Sequence, residues 1–388
     1  MNLVCEIMFD RHSHVPFNAG FLATIQEAFP KEDLAFYGAA AHIEQLKSHV
    51  GRARAGSILW KEIVRIPPGG PRYGERFFRE LKVFRHLLKE LPRGSWSRVI
   101  LTSAFPSTVL ALKIARLLGS TKIPVQMVLH EMSGVTGKRH RHPIRRFHDM
   151  KTAMTLLGNR GIQYLVLEES IRDQAVKSLP QLAERIKVFE HPISPSEGAS
   201  EDVDLVEPVR FGFLGTALKS KGYALFVETA NTITAQYGRR AEFHVLGRCP
   251  EESRDVQGTE ALTTQPAAVQ LTRNDFTRGV ASLHYIVLPY DPASYALSAS
   301  GVLLDAIAWQ KPIIARGIPS FEALFKKYGE IGYLFNQDSE LSPLIQRILH
   351  TPDSSLYRHQ VRRLWEVRKA RDPEALGAVY RELCQVCE

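Results

Sequence analysis

The sequence holds no apolar run approaching the roughly 18 residues that a membrane-spanning helix requires. Its start, Met1-Asn2-Leu3-Val4-Cys5-Glu6, lacks a basic segment followed by an apolar one, which argues against a secretory signal and predicts a cytoplasmic chain. Cysteine is scarce, at four residues, too few and too scattered for a disulfide framework. The pair Cys384-x-x-Cys387 has neither a second pair at zinc spacing nor a thioredoxin-like strand before it, so neither redox chemistry nor a metal is expected. Low-complexity tracts and collagen-like periods are absent too. No helix-turn-helix or aromatic-interleaved basic stretch occurs, and nucleic acid is therefore not an expected partner.

What remains is the composition of a globular protein. Hydrophobic residues make up 44% of 388, and that length exceeds what one core usually serves, so two domains are expected. The net charge of +9 is unevenly spread: residues 1–200 carry 29 lysines and arginines against 18 acids, while the remainder carries 21 against 23. The basic half is suited to an anionic partner such as the inner face of a membrane. Two segments could serve it: the helix-periodic Tyr73–Lys89, with Phe77, Leu81, Phe84 and Leu88 on one face and Arg76, Arg79, Lys82, Arg85 and Lys89 elsewhere, and the loop Lys138–Arg146.

Strand-like and helix-like runs alternate through both halves. Strands are expected at Leu3–Phe9, Leu34–Tyr37, Ser57–Ile66, Arg98–Leu101, Pro124–Leu129, Ile162–Leu167 and Ile186–Phe189, with helices between them, the first from about Gly20 to Ala28. Between His191 and Pro208 the periodicity lapses into proline, serine, glycine and acid. The pattern then restarts with strands Val209–Leu214, Glu242–Leu246, Tyr285–Leu288 and Pro312–Ala315, and the last 40 residues read as helical. The expected fold class is α/β, with two doubly wound Rossmann-like domains facing across a cleft: residues 1–192, a linker at 193–208, and 209–388, with the last helix free to cross back.

In open α/β sheets ligands bind beyond the carboxyl ends of the strands, so the strand-to-helix loops carry the chemistry. Val287–Ala315 reads as strand, polar loop, buried helix and strand. Ser298 or Ser300 can cap that helix, Gly301 admits a ligand to the backbone, and the amides of Gly301, Val302 and Leu303 would face an anion with the helix dipole behind them. Earlier, Phe213-Leu-Gly-Thr-Ala-Leu-Lys-Ser-Lys-Gly-Tyr223 offers Gly215 at a strand end, then Thr216, and cations Lys219 and Lys221, suited to charge developing on a departing diphosphate.

Gly215, Lys221 and Gly222, followed about 80 residues later by Asp305-Ala306-Ile307-Ala308 and Lys311-Pro312-Ile313-Ile314-Ala315, resemble the donor domain of family-4-like GT-B glycosyltransferases over residues 209–335. The resemblance implies a UDP- or GDP-sugar donor, a glycan, lipid-linked or small-molecule acceptor, no metal, and the following residue roles. Lys221, helped by Lys219, neutralises the diphosphate; the backbone at Ser300, Gly301 and Val302 binds its distal phosphate. His130, in Val128-Leu-His-Glu131, together with Asp305 and Tyr295, meets the sugar or nucleotide, and Glu322 matches a recurrent acid. The loop Asp10–Phe21 corresponds to a turn beside diphosphate and acceptor, offering the amides of Asn18, Ala19 and Gly20, with Asp10, His12 and His14 on the acceptor side. Two departures stand out: Thr216 replaces a usual arginine and Leu297 a usual acid, leaving an epimerase or a catalytically silent binding protein on the same fold as alternatives.

Overall fold

The computed structural model describes residues 1–10, 14–67, 72–90, 97–119, 122–132, 135, 140, 142, 144–195, 204–269, 271–295 and 300–385. The chain divides into two compact units. The first comprises Met1–Ser196 with Arg371–Glu388, and the second Glu197–Ala296 with Ser300–Ala370.

The first unit is a seven-stranded parallel sheet formed by β1 (Asn2–Cys5), β2 (Leu34–Gly38), β3 (Ile58–Glu62), β4 (Arg98–Leu101), β5 (Val125–Leu129), β6 (Ile162–Val166) and β7 (Ile186–Val188), in the order β3-β2-β1-β4-β5-β6-β7. β1, β2, β5 and β6 are buried along their full length, as expected of a parallel sheet covered on both faces. The helix Val15–Ala28 begins earlier than its periodicity suggests, because His14 takes a left-handed N-cap conformation and proline is set in the first turn. The C-terminal helix Pro373–Gln385 packs on it, placing Leu376, Tyr380 and Cys384 in the same core as Phe21, Phe36 and Phe189.

The helix Tyr73–Glu90 departs from the face assigned by periodicity. Arg76 and Glu80 are buried with Phe84 and Leu87, rather than Arg76 facing solvent. Arg76 Nε donates to Glu80 Oε1 at 3.0 Å, its guanidinium lies 4.6 Å from the Phe105 ring centroid, and Thr108 Oγ1 donates to the same carboxylate at 2.8 Å. The helix therefore spends its central face on the neighbouring helix Pro106–Gly119. Of the loop Lys138–Arg146, positions 138, 139, 141 and 143 lie outside the described residues, and its end enters the short 3-10 helix Ile144–His148. No helix among the described residues is long and apolar enough to cross a membrane.

The second unit is a five-stranded parallel sheet of β8 (Val209–Leu214), β9 (Ala241–Leu246), β10 (Tyr285–Leu288), β11 (Ile313–Arg316) and β12 (Gly332–Phe335), ordered β12-β11-β10-β8-β9. The stretch 193–208 is not wholly a linker, since Leu205 joins the core of this unit. β12, a short and half-exposed edge strand, has no counterpart among the strands expected from the sequence.

Both sheets reverse direction beside their first strand. In the first unit the chain winds outward through β2 and β3 and then returns to β4 on the other side of β1. In the second it goes to β9 and returns to β10 beside β8. The loops after β1 and β4, and after β8 and β10, thus part to opposite faces and leave a crevice in each unit.

Candidate functional site

The crevice of the second unit gathers residues from two distant stretches of sequence. Gly215 leaves β8 with φ +82°, and a Cβ placed there would stand 3.1 Å from Lys221 Nζ and 3.4 Å from Val302 Cγ2. The loop turns through Lys219–Lys221 and enters the helix Tyr223–Tyr237 at Gly222, φ +73°. A side chain there would come within 1.9 Å of Pro289 O, so this turn requires glycine both for its conformation and for its approach to the end of β10.

Across the crevice, Ser300 caps the helix Gly301–Ala308, with the Leu303 amide donating to Ser300 Oγ at 3.2 Å. That bond uses one of the three amides expected to face a ligand and leaves those of Gly301 and Val302 in the first turn. A Cβ on Gly301 would meet nothing within 4 Å, so the approach is open. Ser300 Oγ is 3.0 Å from the hydroxyl of buried Tyr290, whose ring lies 4.2 Å from that of Tyr295. Tyr295 therefore braces the cap through Tyr290.

One turn into the helix, Asp305 stands 3.9 Å from Arg273 and acts electrostatically on Lys221. Burial lowers the Lys221 ammonium below its ordinary value, while Asp305 pulls it back up. The crevice thus combines a desolvated cation, a second cation and a helix N-terminus, an arrangement that favours an anion. Sequence reading missed Arg273, which heads a helix capped by Thr272, and Tyr290. The Thr272-x-x-Asp275 cap marked that helix start, but nothing local indicated that it would meet Asp305.

Other expected members lie apart. Lys219 is exposed and lines a cavity of about 790 Å³ with Asp291, Arg316 and Asp338, of which the Arg316–Asp338 pair is an ion pair; Gly215, Lys221 and Val302 are not among its lining residues. Thr216 is half-buried, and its carbonyl accepts from Leu218. Glu322 is exposed beyond β11, near Gly317. Leu297 lies outside the described residues, as do His12 and Cys387.

In the first unit the loop reading needs correction. Asn18 and Gly20 are inside the helix Val15–Ala28 and buried; the Asn18 amide is already bonded to His14 O, and its Nδ2 is 2.8 Å from His42 Nε2. A Cβ on Gly20 would press to 2.9 Å from Ile193 O, so this glycine serves close packing instead of ligand approach. The real crevice is a cavity of about 350 Å³ lined from three loops, by Phe9 and His14 after β1, Ser103 and Phe105 after β4, and His130 and Glu131 after β5.

His130 Nε2 lies 2.8 Å from Thr102 O, and since a carbonyl only accepts, this nitrogen carries the proton and Nδ1 the lone pair. Its ring contacts those of His14 at 4.3 Å and Phe17 at 4.7 Å. Burial, then the nearby His14, lowers His130 to about 3, against smaller opposing effects of Thr102 O and Glu6. The imidazole is neutral at physiological pH and can exchange a hydrogen bond with a hydroxyl without adding charge.

No protein-family model matches the chain, and none of the curated proteins matches it in sequence. Solved structures do match. A glycosyltransferase from Rickettsia africae ESF-5 superposes with a TM-score of 0.67 at 10% identity, over 100% of this chain and 98% of that one. A trehalose-6-phosphate protein from E. coli bound with UDP-2-fluoro glucose gives 0.64 at 10% identity over 100% and 99%. WaaG, a glycosyltransferase involved in lipopolysaccharide biosynthesis, gives 0.61 at 12% identity over 99% of both chains. At such identities the likeness speaks for architecture, and it spans the whole chain: two parallel doubly wound units in the arrangement of strands described above are the GT-B fold of glycosyltransferases.

Proposed function

We propose that the protein is a glycosyltransferase that moves a sugar from a UDP- or GDP-sugar to the hydroxyl of a glycan, lipid-linked or small-molecule acceptor. The observation that carries this reading is the convergence of Gly215, Lys221 and Val302 within one crevice, at the β8/β10 switch point. In the reaction the bond from the anomeric carbon to the diphosphate oxygen breaks, a bond from that carbon to the acceptor oxygen forms, and the acceptor proton leaves to the diphosphate or to water. Negative charge grows on the diphosphate as it departs. Lys221 and the amides of Gly301 and Val302 meet that charge, and their stabilisation is largest where the charge is largest, in the transition state. Asp305, itself 3.9 Å from Arg273, favours the charged form of Lys221 against the cost of burial.

His130 and the cavity around it take the acceptor side. The charge work is assigned to Lys221 and the helix terminus, so the reading requires no metal. Retention of configuration is the expected outcome, since the trehalose-6-phosphate synthase of like fold is studied as an enzyme of glycosyl transfer with retention. A place in polysaccharide or glycoconjugate synthesis, with peripheral attachment to the inner face of a membrane, fits the basic surplus of residues 1–200.

The test is a screen of UDP- and GDP-sugars for nucleotide release, with products analysed in the presence and absence of acceptors. Acceptor-dependent release with a new glycoside is expected. Conversion of donor alone into an epimer would replace this reading with the epimerase, and failure to bind any nucleotide in calorimetry would replace it with a silent binding protein.

A further inference from the structure

We propose that the first unit's crevice selects an uncharged acceptor, a sugar ring without phosphate or carboxylate, with His14 holding an acceptor hydroxyl and the carboxyl groups of Glu6 and Glu131 excluding negative charge. The inference rests on the glycosyltransferase reading and names the acceptor class within it.

His14 bears two costs at one position. Its backbone is left-handed, φ 60° and ψ 7°, a region that side-chain-bearing residues seldom enter and that persists where surrounding structure enforces it. Its Nδ1 is buried and has no hydrogen-bond partner among the described residues. The ring is clamped 3.9 Å from Phe9 on one side and 4.3 Å from His130 on the other, and it lines the cavity. A ligand hydroxyl, which both donates and accepts, would satisfy the ring in either tautomer.

The surrounding charge decides which hydroxyl-bearing ligand is admitted. Beneath the cavity, buried Glu6 accepts from the amides of Met8 at 2.8 Å and Phe9 at 3.3 Å, from Ser103 Oγ at 2.6 Å and from Thr102 Oγ1 at 2.9 Å. Three of those four donors come from residues that line the cavity, and Glu131 adds a second carboxyl to its wall. Arg65, which reaches Met8 O at 3.0 Å, is paired with Asp10 at 2.6 Å. The imidazoles do not offset this: burial first, then the nearby His42, lowers His14 to about 4, and burial, then His14, lowers His130 to about 3, while His148, the third imidazole of the lining, is lowered by desolvation and then by His140. Among the described residues at the cavity, a phosphate would face two carboxyl groups, Glu131 in the lining and Glu6 beneath it, and imidazoles whose protonated form is disfavoured. The rings of Phe9 and Phe105, with Met8 and Met150, offer instead an apolar wall for the C–H face of a neutral sugar.

The test uses the full chain and a panel of methyl hexosides, each paired with its 6-phosphate, titrated by calorimetry without donor and then assayed with the donor found by nucleotide release. Neutral glycosides should bind at least about tenfold more tightly than their phosphates, a difference of about 1.4 kcal/mol. Glu6→Gln should narrow that ratio. His14→Asn, which tolerates the left-handed backbone, should raise the acceptor KM about tenfold while kcat changes less; a merely structural role would lower Tm and kcat together at constant KM. Equal or tighter binding of the phosphates, binding of no glycoside, or a His14→Asn variant with unchanged acceptor KM overturns the proposal. If Glu6→Gln does not fold, His14→Asn and the wild-type ratio decide it. Loss of donor turnover in the wild type would instead count against the glycosyltransferase reading, while the donor-free titration still reports on the cavity.

Discussion

The two crevices occupy equivalent places in their sheets, yet they are built to opposite electrostatic ends. In the second unit the loop after the first strand delivers Lys221 to a helix N-terminus, with Arg273 and Asp305 alongside. In the first unit the corresponding loops deliver neutral imidazoles over a buried carboxylate, Glu6. The topology supplies a gap in each case, and on the proposed reading the loop residues decide whether it takes an anion or a hydroxyl. Fold alone would not have separated the two roles.

The largest effect that can break this contrast is expected at Lys221. Lys221→Ala should reduce kcat/KM for transfer by about two to three orders of magnitude, the range for losing one preorganised group that meets transition-state charge. Its thermal midpoint should be unchanged or slightly raised, since a desolvated cation is removed. Steady-state kinetics beside a melting curve checks both, and near-normal transfer would remove the anion crevice from the mechanism.

A smaller effect sharpens the first-unit side. The unfolded histidines titrate near 6.5, whereas folded His14 and His130 are lowered to about 4 and about 3. Below about pH 6.5 the unfolded chain therefore binds protons that the folded chain refuses. The associated stability is complete above 6.5 and is lost as pH falls toward the folded values. Each group contributes a slope of at most about 1.4 kcal/mol per pH unit in that window. Urea unfolding at pH 7 and pH 5 should show the loss, and His14→Asn or His130→Asn should each flatten it by about one proton. An unchanged slope in both variants would place the linkage elsewhere.

The smallest effect belongs to the cap. Ser300→Ala removes the acceptor for the Leu303 amide and should cost about 1 kcal/mol of stability, with nucleotide affinity falling only a few-fold. A loss of donor binding as great as that of Lys221→Ala would show that Ser300 itself touches the ligand.

The sequence made much of this legible because parallel strands buried on both faces leave continuous apolar runs, and eleven strands could be placed from them. β12 escaped because an edge strand only half-covered carries a weaker apolar signal. The Gly215, Lys221 and Ser300–Val302 group was readable because each member belongs to a compact strand-loop-helix segment. Asn18 and Gly20 were misplaced because nothing in their own spacing reveals that His14 adopts a left-handed cap and starts the helix early; Pro16 was the available hint. Arg76 and Glu80 look like a solvated pair until Thr108 and Phe105 are seen to enclose them. Glu6, read as part of a strand, gains its meaning only from Thr102 and Ser103, nearly a hundred residues away.

The closing helix Pro373–Gln385 has a bearing on the order in which the protein can be assembled. Synthesis runs from the first residue onward and domains generally fold as they emerge, but Leu376, Tyr380 and Cys384 belong to the core begun by Val4, Phe21 and Phe36. The second unit, Glu197–Ala296 with Ser300–Ala370, has all its strands before those residues exist. The strands of the first unit are therefore made before those of the second, yet the part of its core that Leu376, Tyr380 and Cys384 cover stays open until these later residues are made.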